Sequence, residues 1–428
     1  MSDAGVALLL AKPLAPNDNR KNQIYLGGGF HALGLFPVGQ LQAETSPKGR
    51  ETLKAPLSYW WIRSDGSLTQ APNAQLILYP DYPEVRLSGL LRGSIGAPVS
   101  LVSSREVGRI LFLGVTNDRR VIGAIAGEES NLAREYALLE NLEASGVFTK
   151  LPLQKGQPTS RDVLLAELRR IHLSGWIAGK ALNADGSIRP CNSSNCVGYT
   201  LEAELGVARN GYSEPDFMGW EVKAGQANNA LALIASKAMT LLTPEPNLGI
   251  YRSDGAGEFV RRFGYADRRG REDRLNFGGV FRVGCRHDLT GLTLHLTGYD
   301  RAQSEIVVAN GAVELRADDG TLAAGWTFSK LATHWNRKHA QAVYVPALCN
   351  ASDGRHYRYG QFVRLGEGTD FLKFLEALVD GIVYYDPAIK IESASTDAPR
   401  LKRRSQFRVK SGQLPALYAS MTEVELPV

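Results

Sequence analysis

The sequence predicts two domains of different class, a mostly-β one over residues 1–150 and an α/β or α+β one over residues 155–428. Three observations lead there. At 428 residues the chain is longer than one hydrophobic core usually organises. Short β-branched and aromatic runs separated by Asp-Gly, Asn-Asp and Gly-rich turns fill the first part, whereas helical and strand periods intermingle in the second. Between them lies TKLPLQKGQPTSRD, polar and containing Pro and Gly, the expected linker.

In chain order, NQIYLGG, LSYWWIRSDGSLTQ, AQLILYPDYPEVRLSGLL and GRILFLGVTNDRRVIGAIAG read as strands bounded by turn residues. Only SNLAREYALLENLEASGVF carries a helical period in this part, with Leu132, Tyr136, Leu139 and Leu142 on one face and a break at Gly146. After the linker, TSRDVLLAELRRIHLSG reads as a capped helix. Thr159 and Asp162 approximate a capping box, Leu164, Leu168 and Ile171 share a face, and Gly175 ends it. Near the C-terminus RLKRRSQFRVK, Arg400 to Lys410, alternates like an edge strand.

Composition narrows the function classes. A hydrophobic share of 44% and a charged share of 22% are those of an ordinary water-soluble globular protein. No apolar run reaches the length of a membrane span. The apolar start GVALLLAKPLAP lacks the basic region of a signal peptide, so a cytoplasmic location is expected. The net charge of +5 suits a polyanionic partner without requiring one. Cys191 and Cys196 form a C-x4-C pair, and Cys285 and Cys349 stand alone. A structural zinc would need a second pair at finger-like spacing, so all four are expected as free thiols in a reducing compartment.

The segment SEPDFMGWEVKAGQ, Ser213 to Gln226, places two acids and a lysine on what otherwise reads as a core strand. If GWEVKA is a strand, Glu221 and Lys223 face one way while Trp220 and Val222 point into the core. Asp216 stands one short turn earlier, and Gly219 lets the backbone bend between them. Two carboxylates held close repel unless a cation lies between them. With oxygen ligands that cation is Mg²⁺, which keeps part of its water shell. A bound metal acidifies water, and a neighbouring lysine can orient that water or neutralise growing charge on a phosphate. An acid followed two residues later by lysine is also common on solvated strand faces. It is the preceding Pro215-Asp216 and the apolar flanks that separate this ExK from those.

The surrounding VGYTLEAELGVARNGYSEPDFMGWEVKA resembles the catalytic core of the MvaI/BcnI family of type II restriction endonucleases, which carry the PD-(D/E)XK motif. There a Gly-Tyr-Thr-(Leu/Phe)-Glu helix precedes the Pro-Asp strand, as Gly198 to Glu202 does here. The likeness continues in order through KAMTLLTPEPNLGIY, HAQAVYVPA and RRSQFRVK, covering most of residues 155–428. It implies an α/β nuclease domain with a mixed central sheet and a Mg²⁺-dependent, site-specific deoxyribonuclease acting on double-stranded DNA. Asp216, Glu221 and Val222 would hold the metal, and Lys223 would be the catalytic lysine. Glu202 lies on the helix whose acid assists the site in this family, and equally suits a plain exposed helix position.

Base readers are usually Arg, His, Asn or Gln reaching groove edges. RRFGYADRRGREDR, HWNRKHAQ and GRHYRYG interleave basic and aromatic residues, as phosphate contacts and stacking require. His334, His339 and Arg355 are the candidates among them, His339 because the resemblance places a functional loop there. Any of these clusters also reads as a solvated loop.

The first domain, through KPLAPNDNRKNQIYLGGGFHALGLFP, resembles the N-terminal effector domain of the EcoRII type, a DNA-binding β-pseudobarrel. Its Lys-x-Leu-x-x-Asn-Asp start matches at Lys12, Leu14, Asn17 and Asp18, although Asn17 and Asp18 also suit a plain turn. The later Gly-Gly-His-Gln is not reproduced, since Gly27 to Gly29 lead to Phe30 and His31. Lys21, Asn22, Arg86 and Arg92 are the candidate DNA contacts. The fusion implies a type IIE arrangement, in which a second DNA site activates cleavage of the first, cutting a short GC-rich site beside a cognate DNA methyltransferase. Two rival readings share the nuclease core: a MutH-like repair nickase and an inactive DNA-binding regulator. The intact Asp216, Glu221 and Lys223 count against the last.

Overall fold

A computed structural model describes the chain apart from residues 2–3, 17–20, 29–30, 46–50, 80–83, 117, 141, 154–157, 194, 209–215, 230, 233–234, 236, 309, 340 and 428. Asn17, Asp18, Phe30 and Pro215 of the motifs above lie outside the described residues. The chain divides into two compact units, Met1–Thr159 and Ser160–Val428.

The first unit is mostly β, built on two sheets. One runs in the order Ala144–Ser145, Phe148–Leu151, Val6–Pro13, Ile110–Thr116, Val121–Ala126, Tyr59–Ile62, Leu68–Ala71. The other runs Ile24–Gly28, Glu84–Ser88, Gln75–Tyr79, Glu51–Pro56, Gln42–Thr45. Period-two patterning explains both, because Val85 and Leu87 are buried while Glu84, Arg86 and Ser88 alternate outward. Two expectations need correction. The linker begins later than TKLPLQ suggested, since Thr149, Lys150 and Leu151 pair with the strand Val6–Pro13. The long helix is only Asn131–Ala137, capped by Ser130 Oγ accepting from Ala133 N–H at 3.2 Å. Leu132 and Leu139 remain 53% and 43% exposed, and the contact with the sheet is made by Ala133 and by Tyr136, edge-on to Phe112. The helix stops because the chain must turn back to form the edge pair Ala144–Ser145 with Phe148–Leu151.

In the second unit the helix Ser160–Leu173 forms as expected, burying Leu164, Leu168 and Ile171. It packs with the helix Cys196–Glu204 on one face of a six-stranded mixed sheet. The backbone of this sheet is the strand Gln341–Asn350, which is parallel to Glu221–Gln226 and antiparallel to His356–Tyr359 and Phe362–Glu367. Ser420–Glu425 pairs with Phe362–Glu367. Trp220, Val222, Val343 and Val345 complete the core beneath the two helices. Residues 400–410 are not one edge strand. Arg400–Lys402 is an edge, but Phe407–Val409 runs between Met239–Leu242 and Val383–Tyr385, with Phe407 and Val409 fully buried.

Cys191 and Cys196 are not free thiols: they are joined as a disulfide at the start of the helix Cys196–Glu204, with Cα atoms 5.7 Å apart. With the two sulfurs bonded, the argument from thiols to a reducing compartment falls. Cys285 and Cys349 are the free cysteines among the described residues. No described helix is long and apolar enough to cross a membrane.

One titratable group in this scaffold makes a testable contribution. His287 stacks on Phe281 at 4.4 Å, and burial holds its imidazole below the usual histidine value, against the opposing pull of Asp288. A depressed histidine binds its proton more readily in the unfolded chain. Its stabilisation is therefore present above pH ~6.5 and lost as pH falls through the folded value. The denaturation midpoint of the wild type should drop more between pH 7.5 and pH 5 than that of His287→Phe. Equal drops would exclude His287 as a contributor.

Candidate active site

The site is organised by a tight turn. Phe217 and Trp220 exchange two backbone hydrogen bonds of 2.9 and 2.8 Å across Met218 and Gly219. Both central residues have positive φ, 46° and 88°, which is the requirement of a two-residue hairpin turn and places glycine at the second position. Trp220 anchors the return strand in the core at 1% exposure. The turn folds Asp216 back along the strand it precedes, and its Oδ2 accepts the Val222 N–H at 2.9 Å.

Glu221 and Lys223 share the face away from the two helices, as alternation requires, and they form an ion pair through Glu221 Oε1. The expectation of an outward-facing acid needs refinement. Glu221 is fully buried, whereas the Lys223 side chain keeps 21% exposure and marks where the site opens. Glu221 is paired in register with Ala342, and Ala342 with Gly366. At Gly366 an added Cβ would stand 2.8 Å from the Tyr418 ring, so the absence of a side chain lets Tyr418 lie over this end of the rung, where its phenol feels the Glu221 charge. Burial works against the Lys223 ammonium. The charge of Glu221 and, behind it, that of Asp216 outweigh that penalty and hold its pKa above the usual lysine value. Two carboxylates thus converge on one cation.

Two residues that sequence reasoning missed support this pair. Tyr344 is the register partner of Lys223 and is buried. Burial pushes its phenol up to about 12, partly offset by the Tyr418 hydrogen bond and the Lys223 charge. Its hydroxyl lies 2.8 Å from that of Tyr418, which in turn lies 3.5 Å from His339 Nδ1. His339 Nε2 stands 3.0 Å from the Leu241 carbonyl, an acceptor only, so that nitrogen carries the proton. The signal for Tyr344 was the alternation in QAVYVPA. Tyr418 had no local signal.

The remaining candidates fall in several places. His339 is corrected as a base reader: it is completely buried and stacked on Trp335 one helical turn back, so its ring reaches no groove. His334 is half-buried on the same helix, Phe328–His339. Arg355 pins a loop, with Nε donating to the Asn192 carbonyl at 2.9 Å and one NH group 3.6 Å from Cys349 Sγ. Glu202 is half-buried on a helix that packs against the Glu221 strand, with its Oε1 on the Gly198 side and its charge felt by Tyr359. In the first unit, Arg86 pairs with Glu84 at 2.7 Å and lies 5.5 Å from the Tyr79 ring. Lys21 and Arg92 are exposed, and Asn22 has a φ of 50° at the approach to Ile24–Gly28.

The donor set around the turn is hard oxygen: the Asp216 and Glu221 carboxylates and, since the Val222 side chain is apolar and in the core, the Val222 backbone. No group of three or more His, Cys, Asp or Glu residues suited to a metal occurs among the described residues. Two carboxylates already balancing one buried cation suit Mg²⁺, which takes few protein ligands and retains water. A thiolate- or imidazole-preferring metal finds no donors of its kind here.

A model of the MvaI/BcnI restriction endonuclease family matches residues 165–418. No curated protein matches the chain. Among solved structures, similarity is found to restriction endonuclease MvaI in complex with its cognate DNA substrate, at 14% identity and a TM-score of 0.44, over 64% of this chain and 100% of that one. The same enzyme without DNA gives 13% identity and a TM-score of 0.34, over 63% and 100%.

Proposed function

The chain belongs to the MvaI/BcnI restriction endonuclease family, and from that membership we propose that it is a Mg²⁺-dependent, sequence-specific endonuclease of double-stranded DNA whose active site is Asp216, Glu221 and Lys223. The observation that carries the reading is the convergence of the two carboxylates on the Lys223 ammonium at the open end of a buried strand. Asp216, Glu221 and the Val222 carbonyl would hold the ion. When bound, Mg²⁺ supplies Lewis acidity to the attacking water and to a phosphate oxygen.

The chain's own groups do the rest. Glu221 fixes the Lys223 amine, which remains charged and presents its N–H donors to the scissile phosphate, where charge grows during attack. Trp220 and Val222, locked in the core, hold the strand so that this placement costs no reorganisation. Glu202, on the helix Cys196–Glu204, is the assisting acid that the family resemblance suggests, and His334 is the remaining helix-borne candidate for a groove contact.

The first unit is read as an effector-type DNA-binding module, its pseudobarrel and type IIE role included, with Lys21, Asn22, Arg86 and Arg92 as its contacts. That reading rests on the mostly-β architecture and the Lys12–Pro37 resemblance. A short GC-rich site, a cytoplasmic setting and a partner methyltransferase belong to the same reading.

The test is supercoiled plasmid incubated with Mg²⁺ or with a chelator, for wild type and Asp216→Ala. Discrete fragments from the wild type alone, and only with Mg²⁺, are expected. Nicks without double-strand breaks would favour a repair nickase, and equal cutting by the variant would remove Asp216 from the site.

A further inference from the structure

Beside the active site, on the same face of the same strand, lies a concavity of roughly 570 Å³ lined by Asn228, Asn229, Lys237, Tyr384, Lys410 and Ser411, with small apolar residues between them. Resting on the nuclease reading above, we propose that this concavity binds a phosphodiester of the DNA strand next to the scissile one, gripped by Lys237 and Lys410.

The position comes from register. Lys223 and Gly225 point the same way, roughly 7 Å apart along the strand. A Cβ on Gly225 would meet the Ala235 side chain at 2.4 Å, so glycine lets Ala235 lie directly on the strand. Ala235 lines the concavity. Ala235 and Ser411 also line a small adjoining cavity together with Tyr344, the register partner of Lys223. The concavity therefore starts about one backbone repeat beyond the catalytic lysine.

The ligand class comes from charge. Met239 pairs with Val409 in an antiparallel ladder, and Lys237 and Lys410 flank it at the same end. Ser411 Oγ donates to the Lys237 carbonyl at 2.8 Å and ties the two segments together. Both lysines are exposed, neither forms an ion pair among the described residues, and no acid lines the concavity. The nearby Asp386 is taken by Arg408 at 2.7 Å, and that guanidinium also holds the Ala238 carbonyl at 2.6 Å. Two cations lining one concavity that holds no acid lower the energy of an anion placed between them. Tyr384, with the Arg282 guanidinium 5.2 Å from its ring, forms the floor. The exposed amides of Asn228 and Asn229 supply further donors.

The experiment measures binding of a fluorescent duplex by the full chain in a chelating buffer, over salt from 50 to 200 mM. Variants are Lys237→Gln/Lys410→Gln, Lys237→Arg/Lys410→Arg, and Lys373→Gln, which removes a lysine from the unrelated helix Phe371–Val379. Each neutralised phosphate contributes about 0.9 to the slope of log affinity against log salt. The double glutamine variant should lose about one from that slope, with weaker binding, while the double arginine variant and Lys373→Gln keep the wild-type slope. An unchanged slope in the double glutamine variant, or an equal loss in Lys373→Gln, would overturn the proposal and leave the nuclease reading standing. Absence of salt-dependent duplex binding by the wild type would overturn both. All substituted lysines are partly or fully exposed, and unchanged thermal midpoints verify that the fold is kept.

Discussion

Lys223→Ala is expected to lower the single-turnover rate of DNA cleavage by about 10³-fold, with duplex binding retained. Removing one preorganised donor from developing charge typically costs 10²–10³. Here the lost group is also the counter-charge that fixes Glu221, so the larger figure applies. The Lys223 amine sits above its ordinary value because Glu221 and Asp216 outweigh the burial penalty. A raised lysine keeps its proton up to and beyond pH ~10.4, so the deficit should be the same across pH 6 to 9. Lys223→Arg should rescue little, because a planar guanidinium replaces a compact ammonium in a site where the paired acid is wholly buried. Rapid-quench measurement of one enzyme equivalent on plasmid DNA gives the number. A Lys223→Ala rate within fivefold of the wild type would show that the phosphate lies elsewhere.

How far the residues themselves disclose this site follows from the range of the forces that build it. The alternation Trp220-in, Glu221-out, Val222-in, Lys223-out is a property of four consecutive residues, and the strand obeys it. The face of Leu164, Leu168 and Ile171 is likewise a local period that the core then uses. The burial of Glu221 is different in kind. It arises inside a register between three strands, roofed at Gly366 by Tyr418 from far along the chain, that no short window contains. His339 misled for the same reason. A basic, aromatic-rich segment is consistent with a groove-facing loop until Trp335 and the Leu241 carbonyl claim the ring. The Leu132–Leu142 face failed by the opposite route: the period was real, but the sheet offers only enough surface for Ala133 and Tyr136. Cys191 and Cys196 were weighed as zinc ligands or thiols by their spacing, whereas the deciding fact is the 5.7 Å approach of their Cα atoms in the fold.

The second large effect concerns stability and inverts the first. Lys223→Met alone should destabilise the second unit by about 3 kcal/mol, because a buried carboxylate is left without its charge partner. Tyr344, its register partner, also loses the ammonium that its hydroxyl feels. Adding Glu221→Leu should recover most or all of that loss. The carboxylate at 221 is fully buried, a setting in which an apolar side chain of similar volume replaces the pair at little or no cost. Asp216 does not need the pair to stay in place, since its Oδ2 is held by the Val222 N–H. Denaturant midpoints should therefore rank the double variant at or above the wild type and Lys223→Met well below it, with both variants inactive on DNA. A double variant as unstable as Lys223→Met would mean that the two charges are independently anchored, and that the ion pair is incidental to the fold. The expected ranking has a direct consequence. If an apolar pair serves the fold equally well, packing gives no reason for a glutamate and a lysine in this interior, and the proposed joint action on a phosphodiester supplies one.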